Sequence, residues 1–317
     1  MADVSKIAWT RSTHNEWIGC TKIGPGCDHC YASVSTPARS LQVAWGPNQP
    51  RYRTSEANRR KPLRWNELAR QEQETGILTP GHDWHTPGFW PVFCSSLSDV
   101  FDNEVDPEWR ADLFLLMERT PHLTWLVLTK RIGNVRGMLP TLWTGTLGRG
   151  IPPNVWLGIT VVNQEEADRD IPKLLAVPAA KRFVSYEPAL GPVDWKDYWL
   201  RASPSAAFQD GRVKPDMPEW TRIGAYALDW IIVGGESDQL GMKARPFDIE
   251  WARSTVRQCK EAGVPVFVKQ LGDLPYEGGP YGAWETTRLL HLDARAGADP
   301  AEWPEDLRVR QFPAEAA

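Results

Sequence analysis

Six short apolar runs, each closed by polar residues, constrain the fold of this chain more than any other feature. They are "PVFCSSLSD" (91–99), "TWLVLTKR" (124–131), "NVWLGITV" (154–161), "KRFVSYEP" (181–188), "DWIIVGGES" (229–237) and "PVFVKQLG" (265–272). Runs apolar at nearly every position suit strands of a parallel sheet buried on both faces. Helical patterns lie between them. Asp106 is a candidate cap with Pro107 at the first helical position, which puts Trp109, Leu113 and Leu116 on one face. Residues 163–177 carry a second pattern, with Pro172 expected at a helix start or break. In 247–263, Asp248 is the candidate cap, Trp251, Thr255 and Cys259 form one stripe, and Gly263 ends the helix. At that spacing Cys259 reads as a core residue.

Repeated strand–helix alternation predicts an α/β fold, a (β/α) barrel, partial or complete, with a further strand ahead of the first run. A length of 317 residues with 42% hydrophobic residues suffices for one such domain spanning 1–317. Two insertions are expected, at about 38–90 and 195–228, together with an irregular C-terminal extension at about 273–317. The 17 Trp residues read as core and loop anchors. In such barrels the chemistry sits at the C-terminal ends of the strands. Those ends carry Ser95, Ser96 and Asp99; Thr129, Lys130 and Arg131; Thr160; Glu187; Gly234, Gly235 and Glu236; and Lys269 with Gln270.

The formal net charge of −4 does not advertise a nucleic-acid or membrane partner. One segment, Arg51–Arg64, does hold six Arg or Lys, interleaved with Tyr52 and followed by Trp65. It is compatible with nucleic-acid backbone contacts, or with a solvated face. No run has transmembrane length and no signal-peptide pattern opens the sequence, so a cytoplasmic protein is expected. In that compartment clustered cysteines signal metal or redox chemistry rather than disulfides.

Three of the five cysteines lie in "CTKIGPGCDHC", as Cys20, Cys27 and Cys30. Three thiolates can hold a [4Fe–4S] cluster and leave one iron open to an outside ligand. Gly24, Pro25 and Gly26 let the backbone turn around a bulky group. The rival reading is structural zinc, with His14, His29 or Cys94 as the fourth ligand. The spacing alone leaves both open, the zinc reading implying a binding protein without catalysis.

The segments "EWIGCTKIGPGCDHCYA", "SSLSDVF", "LVLTKR", "NVWLGITV", "RFVSYEPALGPVD", "WIIVGGES", "ARPF", "GVPVFVKQLG" and "WPEDLRVRQFP" occur in this order. Together they resemble a phage-protein family with a three-cysteine motif, related to the radical S-adenosylmethionine (SAM) superfamily. The resemblance implies a radical SAM-like barrel, a [4Fe–4S] cluster on Cys20, Cys27 and Cys30, and SAM chelating the open iron. It implies cleavage of SAM to methionine and a 5′-deoxyadenosyl radical, driven by one electron from an external donor. The usual superfamily spacing is C-x3-C-x2-C, whereas the first gap here is six residues. The GGE segment of that superfamily follows the second strand, whereas Gly234, Gly235 and Glu236 lie on a late one. With that resemblance, Glu236, Ser95 or Asp99 are candidates for the SAM ammonium, and Lys130 and Arg131 for its carboxylate or a substrate phosphate. Glu187 is a candidate for a ribose hydroxyl or a substrate amine, and Lys269 for an ion pair with Glu236 or Glu187. The phage setting implies a nucleobase of DNA or RNA, such as a hypermodified thymine, as substrate. A small molecule or peptide is the alternative.

Overall fold

The computed structural model describes residues 2–81, 84–144, 149–201, 227–278 and 287–314. Most of the expected insertion at 195–228, and parts of the extension at 273–317, lie outside the described residues. Seven strands make the main sheet: β1 (Ser12–His14), β2 (Pro91–Cys94), β3 (Thr124–Thr129), β4 (Val155–Thr160), β5 (Arg182–Tyr186), β6 (Trp230–Gly234) and β7 (Val266–Gln270). Their hydrogen-bonded order is their chain order, with β1 and β7 at the edges. β1 pairs with β2, β2 with β3, β5 with β6 and β6 with β7, all parallel. This is the α/β arrangement of a partial (β/α) barrel. The six apolar runs and the strand ahead of them all form. Every residue of β2, β4, β5 and β6 is buried, as near-continuous apolar runs require.

The chain divides into two compact units. The first comprises Met1–Ile23, Tyr31–Gly158 and Ala179–Lys181; the second comprises Gly24–Cys30, Ile159–Pro178 and Arg182–Ala317.

In the first unit the longer helices are α1 (Glu56–Thr75), α2 (Pro107–Glu118) and α3 (Ile132–Met138). Asp106 caps α2 through the Glu108 N–H, with Pro107 at the first position, as expected. Its buried face differs from the expected one, holding Arg110, Leu113, Phe114 and Met117. The stripe turns because Arg110 is drawn inward: its Nε and Nη2 donate to the Val100 and Asp102 carbonyls at 2.8 and 2.7 Å.

Five of the six cations of the basic stretch Arg51–Arg64 face carboxylates. Arg51 Nε meets Asp102 Oδ2 at 2.8 Å and its Nη2 meets Glu104 Oε2 at 2.6 Å. Arg53 faces Glu16 and Asp112, Arg59 faces Glu16, Arg60 faces Glu56 and Lys61 faces Asp3. Trp65 is buried and donates Nε1–H to Asp3 Oδ1 at 2.9 Å. Cations already matched by carboxylates of their own unit are poorly placed to release counterions from a phosphate backbone.

In the second unit the longer helices are α4 (Gln164–Leu175) and α5 (Ile249–Ala262). Pro172 neither starts nor breaks α4 but lies within it. Asp248 caps α5 through the Glu250 N–H, and Gly263 ends it at φ 72°, in the left-handed region that favours glycine. Cys259 is buried on that helix, as core spacing predicts. The last described segment covers the edge strand β7. Val268 N–H donates to the Val309 carbonyl and Gln311 N–H to that of Val266, while Phe312 packs on Trp230 and Phe267. An edge covered in this way offers no template for another chain. No described helix is long and apolar enough to cross a membrane.

The first unit also contains a buried ion pair between β1's lead-in and α1. Arg11 Nη1 and Nη2 donate to Glu72 Oε2 and Oε1 at 2.8 and 2.7 Å, beneath a cation–π contact with Trp90 at 3.7 Å. Glu72 also accepts the Thr79 and Gly88 N–H groups. Burial opposes its ionisation, but Arg11 and these donors outweigh it and bring the carboxyl down to about 2. A folded value below the unfolded one gives stability that is present above the ordinary carboxylate range. That stability is lost as pH falls toward about 2. Glu72→Gln leaves Arg11 buried without its counter-charge and is expected to cost about 3 kcal/mol. Denaturant unfolding at pH 7, repeated down the acid limb, should show that loss and a flatter dependence below about pH 4.5 than the parent chain.

Candidate metal and cofactor site

None of the three cysteines of the loop is in a disulfide; Cys27 is buried, while Cys20 and Cys30 are half-buried. Cys20 belongs to the first unit, Cys27 and Cys30 to the second.

In the first unit Cys20 is held from the end of β3. Arg131 Nη1 donates to Cys20 Sγ at 3.3 Å and Nη2 to the Thr21 carbonyl at 2.7 Å. The guanidinium is fixed by Asp99 Oδ2 at 3.3 Å, with Asp102 Oδ1 at 4.0 Å. Asp99 is saturated: it accepts from the Phe101 and Lys130 N–H groups, the Thr129 hydroxyl and Arg131. Arg51 extends the network, joining Asp102 and Glu104 to the Thr21 hydroxyl. Burial pushes the Cys20 thiol up to about 11; the Asp99 charge adds to this and Arg131 works against it. The metal-free thiol is therefore protonated at neutral pH, and metal binding would release its proton. Ser95, at the end of β2, is buried beside Cys94, with 3.4 Å between Oγ and Sγ. Lys130 contributes its N–H to Asp99.

In the second unit Cys27 ends the short 3-10 turn Pro25–Cys27. Arg245 grips that turn: Nη1 donates to the Pro25 carbonyl at 3.0 Å, and Nε and Nη2 donate to Glu236 Oε2 and Oε1 at 2.8 and 2.6 Å. His29 Nδ1 lies 3.0 Å from Glu236 Oε2. Burial raises the Glu236 carboxyl, but the forked Arg245 contacts prevail and hold it below the usual carboxylate range. Glu236 is thus engaged by this chain's own donors. Gly235 has a packing reason to be glycine, since a Cβ there would stand 2.3 Å from the Leu271 carbonyl oxygen. At Gly234 a Cβ would stand 3.1 Å from Glu187 Oε1.

The ends of β5 and β7 bring together the two residues expected to act on substrate. Lys269 Nζ lies 2.9 Å from Glu187 Oε1, and the Ser185 hydroxyl donates to Glu187 Oε2 at 3.2 Å. Of the two partners expected for Lys269, it takes Glu187. The sequence reading did not single out Arg245, although "ARPF" follows the GGE segment by a few residues.

Three cysteines on one loop, the first facing an N–H donor, suit iron–sulfur ligation in kind. Among the described residues, no three His, Cys, Asp or Glu side chains, these thiols included, stand together as a group that could hold a metal ion. Of the histidines considered for zinc, His29 has a close carboxylate partner, while both ring nitrogens of His14 are buried without a hydrogen bond. His14 is wholly buried beside Trp125, with Nε2 3.5 Å from Glu16, and His29 faces Glu236. Cys94 is buried within β2, and its thiol is pushed up to about 12 by that burial.

Loosening the Arg245–Glu236 fork should expose the turn. Glu236→Gln removes a charge-assisted contact of about 1.5–3 kcal/mol. Alkylation of Cys27 in the metal-free protein, followed by peptide mapping, is expected to quicken about tenfold or more, with Cys259 unchanged.

No curated protein matches the chain. Among solved structures, it is similar to "Spore photoproduct lyase complexed with dinucleoside spore photoproduct" at 13% identity and a TM-score of 0.38, over 92% of this chain and 72% of that one. A likeness that slight establishes neither fold nor activity. The family model described as "Protein of unknown function (DUF5131)" matches residues 4–296, and the chain belongs to that family.

Proposed function

We propose that the chain is a radical SAM enzyme that carries a [4Fe–4S] cluster on Cys20, Cys27 and Cys30 and takes SAM as co-substrate. The observation that carries this reading is the set of three cysteines on one loop, none in a disulfide, with Arg131 donating to the first. When bound, such a cluster supplies the electron that cleaves SAM to methionine and a 5′-deoxyadenosyl radical, the electron coming from an external donor.

The chain's own residues divide the remaining work. Asp99 and Glu236 have their acceptor oxygens filled by the chain, so their part is to fix Arg131 and Arg245, and through them the loop. Lys130 N–H and Thr129 complete the setting of Asp99. Gly234 and Gly235 allow the end of β6 to lie close against Glu187 and the backbone after β7. Ser95 lies buried at the end of β2, where its hydroxyl is a candidate contact for SAM. Glu187 and Lys269 are a polar pair at strand ends that can orient a zwitterionic or hydroxylated group, or move a proton at Glu187 Oε1. A nucleobase remains a candidate substrate class. Its backbone contacts would have to come from cations other than the paired ones of Arg51–Arg64.

Anaerobic reconstitution with iron and sulfide should give a brown protein with about four irons per chain, and Cys27→Ala should lose it. SAM with dithionite should then yield 5′-deoxyadenosine. A colourless protein holding one zinc would overturn the proposal. Glu187→Gln should keep its iron and slow product formation about 10- to 100-fold, as expected for one charged contact. Unchanged turnover would remove Glu187 from the site.

A further inference from the structure

Arg131 is placed unlike a surface arginine. Its side chain is 8% exposed, against 72% for Arg60. It directs one nitrogen at a cysteine sulfur and the other at the carbonyl of the next residue, 3.3 and 2.7 Å away. Its backbone N–H is fastened to the Thr129 hydroxyl at 2.8 Å. Asp99 holds the guanidinium, and Asp99 is itself immobilised by Phe101, Thr129 and Lys130. An arginine donates all its protons and accepts none, so only a lone pair or a negative charge is a good partner at Nη1. Thr21 and Cys20 are thus presented to a fixed cation by a shell that owes nothing to a ligand.

We propose that Arg131 is the positioning residue of the cysteine site, holding Cys20 and setting the reduction potential of a cluster bound there; this rests on the radical SAM reading. A hydrogen bond from a cation to a ligating sulfur stabilises the more negative, reduced state of a cluster and raises its potential. Asp99 and Asp102 moderate the charge without removing the donor. Lysine cannot copy the arrangement, because its single ammonium cannot serve the sulfur and the Thr21 carbonyl along the planar fork that arginine provides.

The experiment is a redox titration of reconstituted protein, followed by electron paramagnetic resonance, with iron counted in every sample. Arg131→Gln is expected to retain iron while its midpoint shifts to a more negative potential, and Arg131→Lys should fall between it and the parent. Retained iron with an unshifted potential in Arg131→Gln overturns the proposal and leaves the cluster reading standing. If Arg131→Gln does not fold, Arg131→Lys is decisive in the same way: a shifted midpoint supports the proposal and an unshifted one overturns it. Parent protein that takes up no iron overturns both, and the iron count separates that result from the others.

Discussion

A buried or half-buried guanidinium needs acceptors for its donors, and where the acceptor is a carboxylate it gains a counter-charge as well; four such pairs organise the segments around the sheet. Arg11 meets Glu72, Arg51 meets Asp102, and Arg131 meets Asp99 in the first unit; Arg245 meets Glu236 in the second. The three pairs of the first unit join stretches that lie apart in the sequence, and Arg245, near Glu236 in sequence, reaches back to the Pro25 turn. The strands need no such joints, since apolar burial and ladder hydrogen bonds hold them. The loops have neither, and the ion pairs fix them. The cysteine loop is the clearest beneficiary. Its first thiol is held by one of these arginines, and the turn before its second by another.

The same pairing decides what the charged residues are free to do. Arg51 reads in sequence as part of a basic patch but is buried between Asp102 and Glu104. Glu236 reads as a ligand for an ammonium but is forked by Arg245. Glu187 and Lys269 pair in charge at the strand ends, and Glu187 Oε1 is buried with no hydrogen bond formed, unlike the oxygens of Asp99, which backbone N–H groups fill. A substrate group of either charge can therefore exchange into that pair at lower cost than into the sealed ones.

The strands were legible because a run apolar at almost every position has few alternatives to a doubly buried strand. The cap at Asp248 and the stop at Gly263 were legible because local chemistry dictates them. Helix α2 shows where that legibility ends: Leu113 is buried as expected, yet Arg110 replaces Trp109 on the inner face because two distant carbonyls await it. Pro172 lies inside α4, where the pattern leads one to expect a start or a break. The site divides in the same way. The thiols announce themselves by type and spacing. Arg245, although close to Glu236 in sequence, carries no periodic signal, and its role emerges only when the chain folds back on the Pro25 turn.

A cluster on the three thiols, as proposed, would leave one iron for SAM. Mössbauer spectra of iron-loaded protein, recorded with and without SAM, test it most directly. The account predicts a cluster signal in which one iron of about four changes on SAM addition while the others do not. Spectra unaltered by SAM, or protein that holds no iron, would contradict it.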